Sequence, residues 1–235
     1  MKKICQYMLF SRTGSVVSDT FSLFLNGLEL RRVDQFKYLG IILDENLSFH
    51  KYVKTLSLKI SRNIGMLTRL CHFFPKAILK SIYYSFVHPY FLYCISVWAS
   101  TFSSVFKSLQ ILQNKAMRIL FNVDCRTSVR HLYGTSGIFS LDQLHLISIS
   151  SICHDYQYSN LPVNFSGIFS TNSQFHNYPT THRSDFSCEI RPTSRAGFSI
   201  RHTGPKIWNS IPASVRECSN KRHFLRLVKK YLMTC

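Results

Sequence analysis

The chain has 235 residues, of which 46% are hydrophobic and 17% charged, so it is long enough to bury a core and is not a largely disordered polymer. Lys and Arg total 29 against 11 Asp and Glu, a formal net charge of +18. Such an excess excludes a self-neutralising surface and favours an acidic partner, nucleic acid first and an anionic membrane surface second. The eight cysteines (Cys5, Cys71, Cys94, Cys125, Cys153, Cys188, Cys218 and Cys235) form no C-x-x-C pair. A zinc ribbon or a thioredoxin-type motif is therefore not expected, and reduced thiols are. The basic start has too short an apolar run for a secretory leader, so the expected location is intracellular, nucleus or cytoplasm.

Taken in chain order, Tyr7–Phe10 reads as a short strand, followed by a turn-rich link from Ser11 to Thr20. Phe21, Leu23 and Leu25 alternate on one face, Asn26-Gly27 is a tight hairpin turn, and Leu28 and Leu30 begin the return. Phe36–Leu43 has the β-branched and aromatic content of a sheet strand, ended by Asp44-Glu45-Asn46.

His50–Leu70 is the clearest helix. Val53, Leu56, Ile60, Ile64, Leu67 and Leu70 form one apolar stripe, while Lys51, Lys54, Arg62 and Arg69 point largely away from it. Leu58 is the misfit on the basic side. Such a ridge suits a helix lying along a nucleic-acid backbone, and equally an ordinary solvated face.

Pro75 suits the first turn of a helix running to about His88, where Pro89 bends or restarts it towards Ala99. The aromatic segment Ile78–Ala99 imitates a membrane span, but Lys80, His88 and Pro89 interrupt it, and a bent buried helix pair is the simpler reading. Val105–Phe121 is amphipathic, with Leu109, Leu112, Ala116 and Ile119 inward and Lys107, Lys115 and Arg118 outward. Leu141–Tyr158 is also expected to be helical.

From Ser159 the texture loosens, with short strands expected around Phe186–Ile190 and Ala196–Ile200. Gly204-Pro205 with Trp208 reads as a turn anchored by an indole. Ser219 is the expected N-cap of a final helix carrying Phe224, Leu227, Val228 and Tyr231 on one side and Lys221, Arg222, Arg226, Lys229 and Lys230 on the other. Residues 176–235 hold 11 Lys and Arg against three acids.

Chemistry-bearing motifs are sparse. P-loop, H-E-x-x-H and G-x-S-x-G patterns are missing, and Cys71-His72 and Cys153-His154 lack ligand spacing for zinc. Two-metal phosphoryl transfer needs carboxylates converging on ions about 4 Å apart, whereas adjacent Asp44 and Glu45 in an extended segment diverge. A turn is the expected role for that pair. No catalytic and no metal-ligating residue is assigned.

Several blocks together resemble the closing motifs of Jockey-like non-LTR retrotransposon reverse transcriptases. They are Tyr7-Met8-Leu9-Phe10, Phe36–Phe49, Lys59-Ile60-Ser61-Arg62-Asn63-Ile64-Gly65 and Leu79–Tyr90. Val97-Trp98, Leu112-Gln113-Asn114-Lys115-Ala116-Met117-Arg118-Ile119 and Gly204–Pro212 continue the series. They come in the family's order and span nearly the whole chain.

The resemblance implies an α+β, mainly α, fold. A small antiparallel β-sheet remnant of the palm (1–49) is followed by a helical thumb bundle (50–125) and an irregular basic C-terminal region (126–235). Tyr38, Leu39 and Gly40 match the primer-grip turn. Lys51, Lys54, Arg62, Arg69, Lys115 and Arg118 are the candidates for contacts to template–primer phosphates. The partners it implies are RNA and DNA, together with the upstream part of the polymerase; a membrane is not the expected partner.

The family's metal-binding carboxylates lie upstream of the block matched by Tyr7. Mg²⁺ is therefore expected only for the complete family enzyme, and the chain is not expected to polymerise alone. The alternatives are a basic helical interaction or membrane-associated protein, or an unstable retrotransposon relic whose apolar strand edges lie exposed.

Overall fold

A computed structural model describes residues 5–10, 21–100, 103–174, 185–188 and 199–234. It is α+β and mainly helical, as expected. The strands are short and form three separate two-stranded pairs. β1 (Gln6–Tyr7) pairs in parallel with β4 (Arg31–Arg32), so this part of the sheet departs from the antiparallel expectation. β2 (Phe24–Leu25) and β3 (Leu28–Glu29) form the predicted hairpin, with Asn26 at φ 52° and Gly27 at φ 75° supplying the two left-handed positions of a type I′ turn. Phe24 and Leu28 are 65% and 71% exposed, so this hairpin adds nothing to the core.

The run expected to be one strand is a hairpin. β5 (Gln35–Tyr38) and β6 (Ile41–Asp44) are joined at Leu39-Gly40, with φ 46° and 86°. The apolar content reported β structure correctly, but the left-handed pair at its centre reverses the chain. Only β6 reaches the core, through buried Ile41 and half-buried Ile42 and Leu43.

α1 (His50–Leu70) follows at once and buries Val53, Leu56, Ile60, Ile64 and Leu67, the predicted stripe. Its entry is built by Asp44. That carboxylate accepts hydrogen bonds from the amides of Asn46 (3.1 Å), Ser48 (2.9 Å) and Phe49 (2.9 Å), and from the Ser48 hydroxyl (3.1 Å). Leu47 and Phe49 sit at φ 50° and 55°, an arrangement unfavourable for non-glycine residues that the Asp44 network holds in place.

Pro75 precedes α2 (Lys76–Phe86), with extended backbone that starts the helix. The aromatic segment then breaks into α3 (His88–Leu92) and α4 (Ile95–Trp98), with Cys94 at φ 52° between them. Among the described residues no helix is long and apolar enough to cross a membrane. α5 (Ser103–Phe121) makes the most extensive helix–helix contact of the fold, with α1. α6 (Arg130–Ser136) leads to α7 (Leu141–Gln157), which opens on a capping box. In it the Ser140 hydroxyl accepts from the Gln143 amide and the Gln143 side chain accepts from the Ser140 amide.

The apolar interior divides into two clusters, one running from Ile41 to Leu144 and the other from Ile149 to Leu232. α7 belongs to both: Leu141 and Leu144 enter the first, Ile149 and Cys153 the second.

The loose C-terminal region is more helical than its composition indicates. α8 (Ile200–Ser210) contains Gly204 and Pro205, so these residues lie within a helix rather than a turn. Pro205 loses one helical hydrogen bond but is buried with Gly204, and the packing outweighs the local preference. A Cβ at Gly204 would stand 2.7 Å from the Phe169 ring, so only glycine allows this close approach. Phe186 makes an isolated bridge to Thr171 rather than a strand; Ile190 and Ala196 lie outside the described residues. After the short α9 (Ala213–Arg216), α10 (Lys221–Thr234) is capped by Asn220, not Ser219, with Asn220 Oδ1 accepting from the His223 amide at 3.0 Å.

His145 on α7 is held down to about pKa 4 by burial, with its Nε2 3.1 Å from the Ser100 hydroxyl. Its folded-state value lies below the ordinary value near 6.5. Its contribution is thus fully present above about pH 6.5 and is lost as pH falls towards 4, at most on the order of 3 kcal/mol. Thermal unfolding from pH 7 to pH 4 is expected to show Tm falling more steeply in the parent chain than in His145→Gln; parallel curves would refute this.

Candidate nucleic-acid interface

The candidate cations on α1 lie on one ridge. At about 100° per residue, Lys51, Leu58, Arg62 and Arg69 fall within a narrow arc, with Lys54 beside it, opposite the buried stripe. All five side chains are exposed, and Leu58 is 58% exposed, as its place on the basic side requires. From Lys51 to Arg69 the ridge extends about 27 Å.

Lys51 lies 3.6 Å from Asp34, with side chains 55% and 67% exposed. An exposed pair of this kind is worth little and exchanges readily for a phosphate. Arg69 Nε donates at 3.4 Å to the Gly65 carbonyl one turn back. Lys54 and Arg62 are exposed and outside the described ion pairs. Lys59 is a further exposed cation on the flank of this helix, outside the six candidates.

The α5 candidates are placed differently. α1 and α5 bury their stripes against one another, so their outer faces point away from each other. Lys115 is exposed on that outer face of α5, beside Ile111, which is 65% exposed. Arg118 is half-buried and its Nε donates to the Thr127 carbonyl at 3.0 Å, bracing the loop before α6. The six candidates therefore form an α1 ridge and a separate α5 pair, one member of which is engaged by the fold.

Tyr38, Leu39 and Gly40 stand at the tip of the β5–β6 hairpin. Leu39 is 72% and Tyr38 59% exposed. The tip is tied to the α3–α4 corner by the Tyr93 hydroxyl, which donates to the Leu39 carbonyl, and the Tyr93 ring lies 3.7 Å from where a Gly40 Cβ would be. Tyr93 carried no sequence signal for this role, because it is distant along the chain.

Among the described residues no group of three or more His, Cys, Asp or Glu gathers to hold a metal ion. Asp44 is committed to the α1 entry, and Glu45 Oε2 pairs with Arg32 at 3.3 Å. These residues do not fit the Mg²⁺ cradle of a polymerase.

Gln113 is another residue whose role the spacing did not disclose. Fully buried, it donates from Nε2 to the Tyr83 hydroxyl (3.2 Å) and the Phe139 carbonyl (2.9 Å). Its Oε1 accepts from the Leu141 amide (2.9 Å) and Gln110 Nε2 (3.2 Å). Asn114 joins through the Tyr133 hydroxyl at 2.8 Å, so this stretch of α5 is a structural joint among α2, α6 and α7.

The fold and surface thus define a mainly helical α+β chain with an extended basic ridge on α1 and with Asp44 and Glu45 tied into structural contacts. In sequence it is similar to a Drosophila melanogaster protein described as "Probable RNA-directed DNA polymerase from transposon BS", with 32% identity over 139 residues. The match covers 58% of this chain and 15% of that protein's length, so the chain corresponds to a small part of its relative. This similarity supports the reading of the chain as non-LTR retrotransposon reverse transcriptase-like. No family model and no solved structure matches the chain.

Proposed function

We propose that the chain is a nucleic-acid-binding segment of a reverse transcriptase-like protein, holding template–primer duplex by its phosphates without polymerising DNA itself. The observation that carries this reading is the α1 ridge: Lys51, Lys54, Arg62 and Arg69 exposed along one side of a long helix that is anchored by its buried stripe. A rigid row of cations neutralises successive phosphates and reads no base sequence. The sequence similarity to a transposon RNA-directed DNA polymerase supports a nucleic-acid partner, and the hairpin whose strand β6 packs against α1 and whose tip is braced by Tyr93 gives the duplex end a firm neighbour. Polymerisation would need converging carboxylates, and Asp44 and Glu45 have structural employment instead.

Binding of a labelled duplex to the purified chain is expected to weaken with salt, log affinity against log salt having a slope at least as steep as about −4. Replacing Lys54, Arg62 and Arg69 together by Gln is expected to flatten it by about 3. A slope unchanged by these substitutions would overturn the role of the ridge. In the same preparations, primer extension with Mg²⁺ and deoxynucleotides is expected to give no product; robust extension would defeat the second half of the proposal.

A further inference from the structure

α10 carries a second basic edge. Arg222, Arg226, Lys229 and Lys230 are exposed on one side of the helix, opposite buried Phe224, Val228 and Leu232. The helix has no acidic residue, and among the described residues its only ion pair is Lys221 with Asp155. Over roughly 12 Å of axis, no ion pair among the described residues accounts for the density of these four cations.

The position of this edge matters more than its charge. The last turns of α10 are seated on the start of α7, where Gln143 Nε2 donates to the Leu232 carbonyl at 2.9 Å. That start is tied through Gln113 to Tyr83, and the His88 ring lies 5.9 Å from the Tyr83 ring. Burial, reinforced by the Lys229 charge, holds His88 below its ordinary value, consistent with that proximity. On the other side of the same corner, Asn63 of α1, next to Arg62, donates to the Phe86 carbonyl. The turn Phe86–His88 is therefore held by the flank of α1 that borders its buried stripe, about 100° around the helix from Arg62, with the end of α10 on its other side. Phe86 is 51% exposed there.

We propose that α10 is a second phosphate-binding edge, whose Arg222, Arg226, Lys229 and Lys230 contact the same nucleic-acid duplex that the α1 ridge holds. Cations on two helix edges can follow the two phosphate rows that border a duplex groove, whereas a single helix can follow only one. The inference rests on the nucleic-acid reading above and adds the site that completes it.

The test uses the full chain with Arg222, Arg226, Lys229 and Lys230 all changed to Gln, alongside the α1 triple variant, with circular dichroism to verify that both stay folded. With a fluorescent duplex of about 20 base pairs, the parent chain should show a salt slope of about −7, and the α10 variant a slope flatter by about 3.5. Its Kd near 0.1 M salt should rise on the order of tenfold or more. An α10 variant that matches the parent while the α1 variant is impaired would overturn this inference and leave the proposed function standing. If neither variant differs from the parent, both fail. Flotation with phosphatidylserine vesicles supplies the third arm: lost vesicle binding with intact duplex binding in the α10 variant would assign the edge to a membrane and overturn the inference. Should α10 substitutions unfold the chain, salt-dependent protection of the Lys229 and Lys230 amines from acetylation by bound duplex replaces them as the readout, and equal labelling with and without duplex refutes the site.

Discussion

Gln113→Leu is expected to destabilise the chain by about 3–5 kcal/mol, a large share of the 5–15 kcal/mol typical of a folded domain. The leucine fills much of the space, but it leaves the Phe139 carbonyl and the Tyr83 hydroxyl without the Nε2 donor inside the first cluster. Burial already pushes the Tyr83 hydroxyl well above its ordinary range, which marks the site as poorly hydrated and makes a lost partner expensive. The Leu141 amide keeps a second acceptor, Gln110 Oε1 at 3.2 Å, so the effect falls mainly on the α2–α5 junction and the lead into α7. Urea unfolding checks it: the midpoint should drop sharply, with a smaller drop for Gln110→Ala, whose site is only part-buried. A loss below about 1 kcal/mol for Gln113→Leu would show that water or a shifted backbone satisfies these groups.

Trp208→Ala is expected to cost a similar 3–5 kcal/mol, in the second cluster. The indole is 2% exposed and sits between the Phe186 and Phe224 rings, with centroids 5.6 Å from each. That row continues through Phe169, 5.0 Å from Phe186, and through His154, 4.5 Å from Phe224. Removing its middle member leaves α8 and α10 facing a cavity. Trp98 and Trp208 are the chain's two tryptophans, so in this variant fluorescence reports on the first cluster alone. The expected outcome is Trp98 emission close to the parent's while amide exchange accelerates in α8 and α10. Exchange slowed as much as in the parent would mean the aromatic row is not the support of those helices. Because α10 also carries the proposed second phosphate edge, this variant should weaken duplex binding without touching a cation.

Much of the helical framework was legible in the residues, because periodicity is a local property. His50–Leu70 is one helix with the predicted buried stripe, the final helix shows the same segregation, and Asn26-Gly27 makes the turn its side chains demand. The break of Ile78–Ala99 into short helices was likewise foreshadowed by Pro89. The candidate surface was legible only in part. Residue spacing placed Lys51, Lys54, Arg62 and Arg69 on one ridge, but spacing within a helix says nothing of where a second helix points. Lys115 and Arg118 therefore proved to face away from that ridge, with Arg118 drawn into a loop contact.

What the sequence determined by itself is the set of amphipathic helices, the turn at Asn26-Gly27 and an unbalanced positive charge that needs an acidic partner. Tertiary structure alone decided that Pro205 stays helical, that Asp44 holds the entry to α1 and that α7 serves two apolar clusters. It also decided that the end of α10 is seated on the start of α7 and that α1 supports the turn after α2. The physical reason is range. A side chain's exposure pattern along one helix is set within a few residues, whereas the long-range partners of Asn63, Tyr93, Gln113 and Gln143 lie 23 to 89 residues away and come together only when the clusters pack.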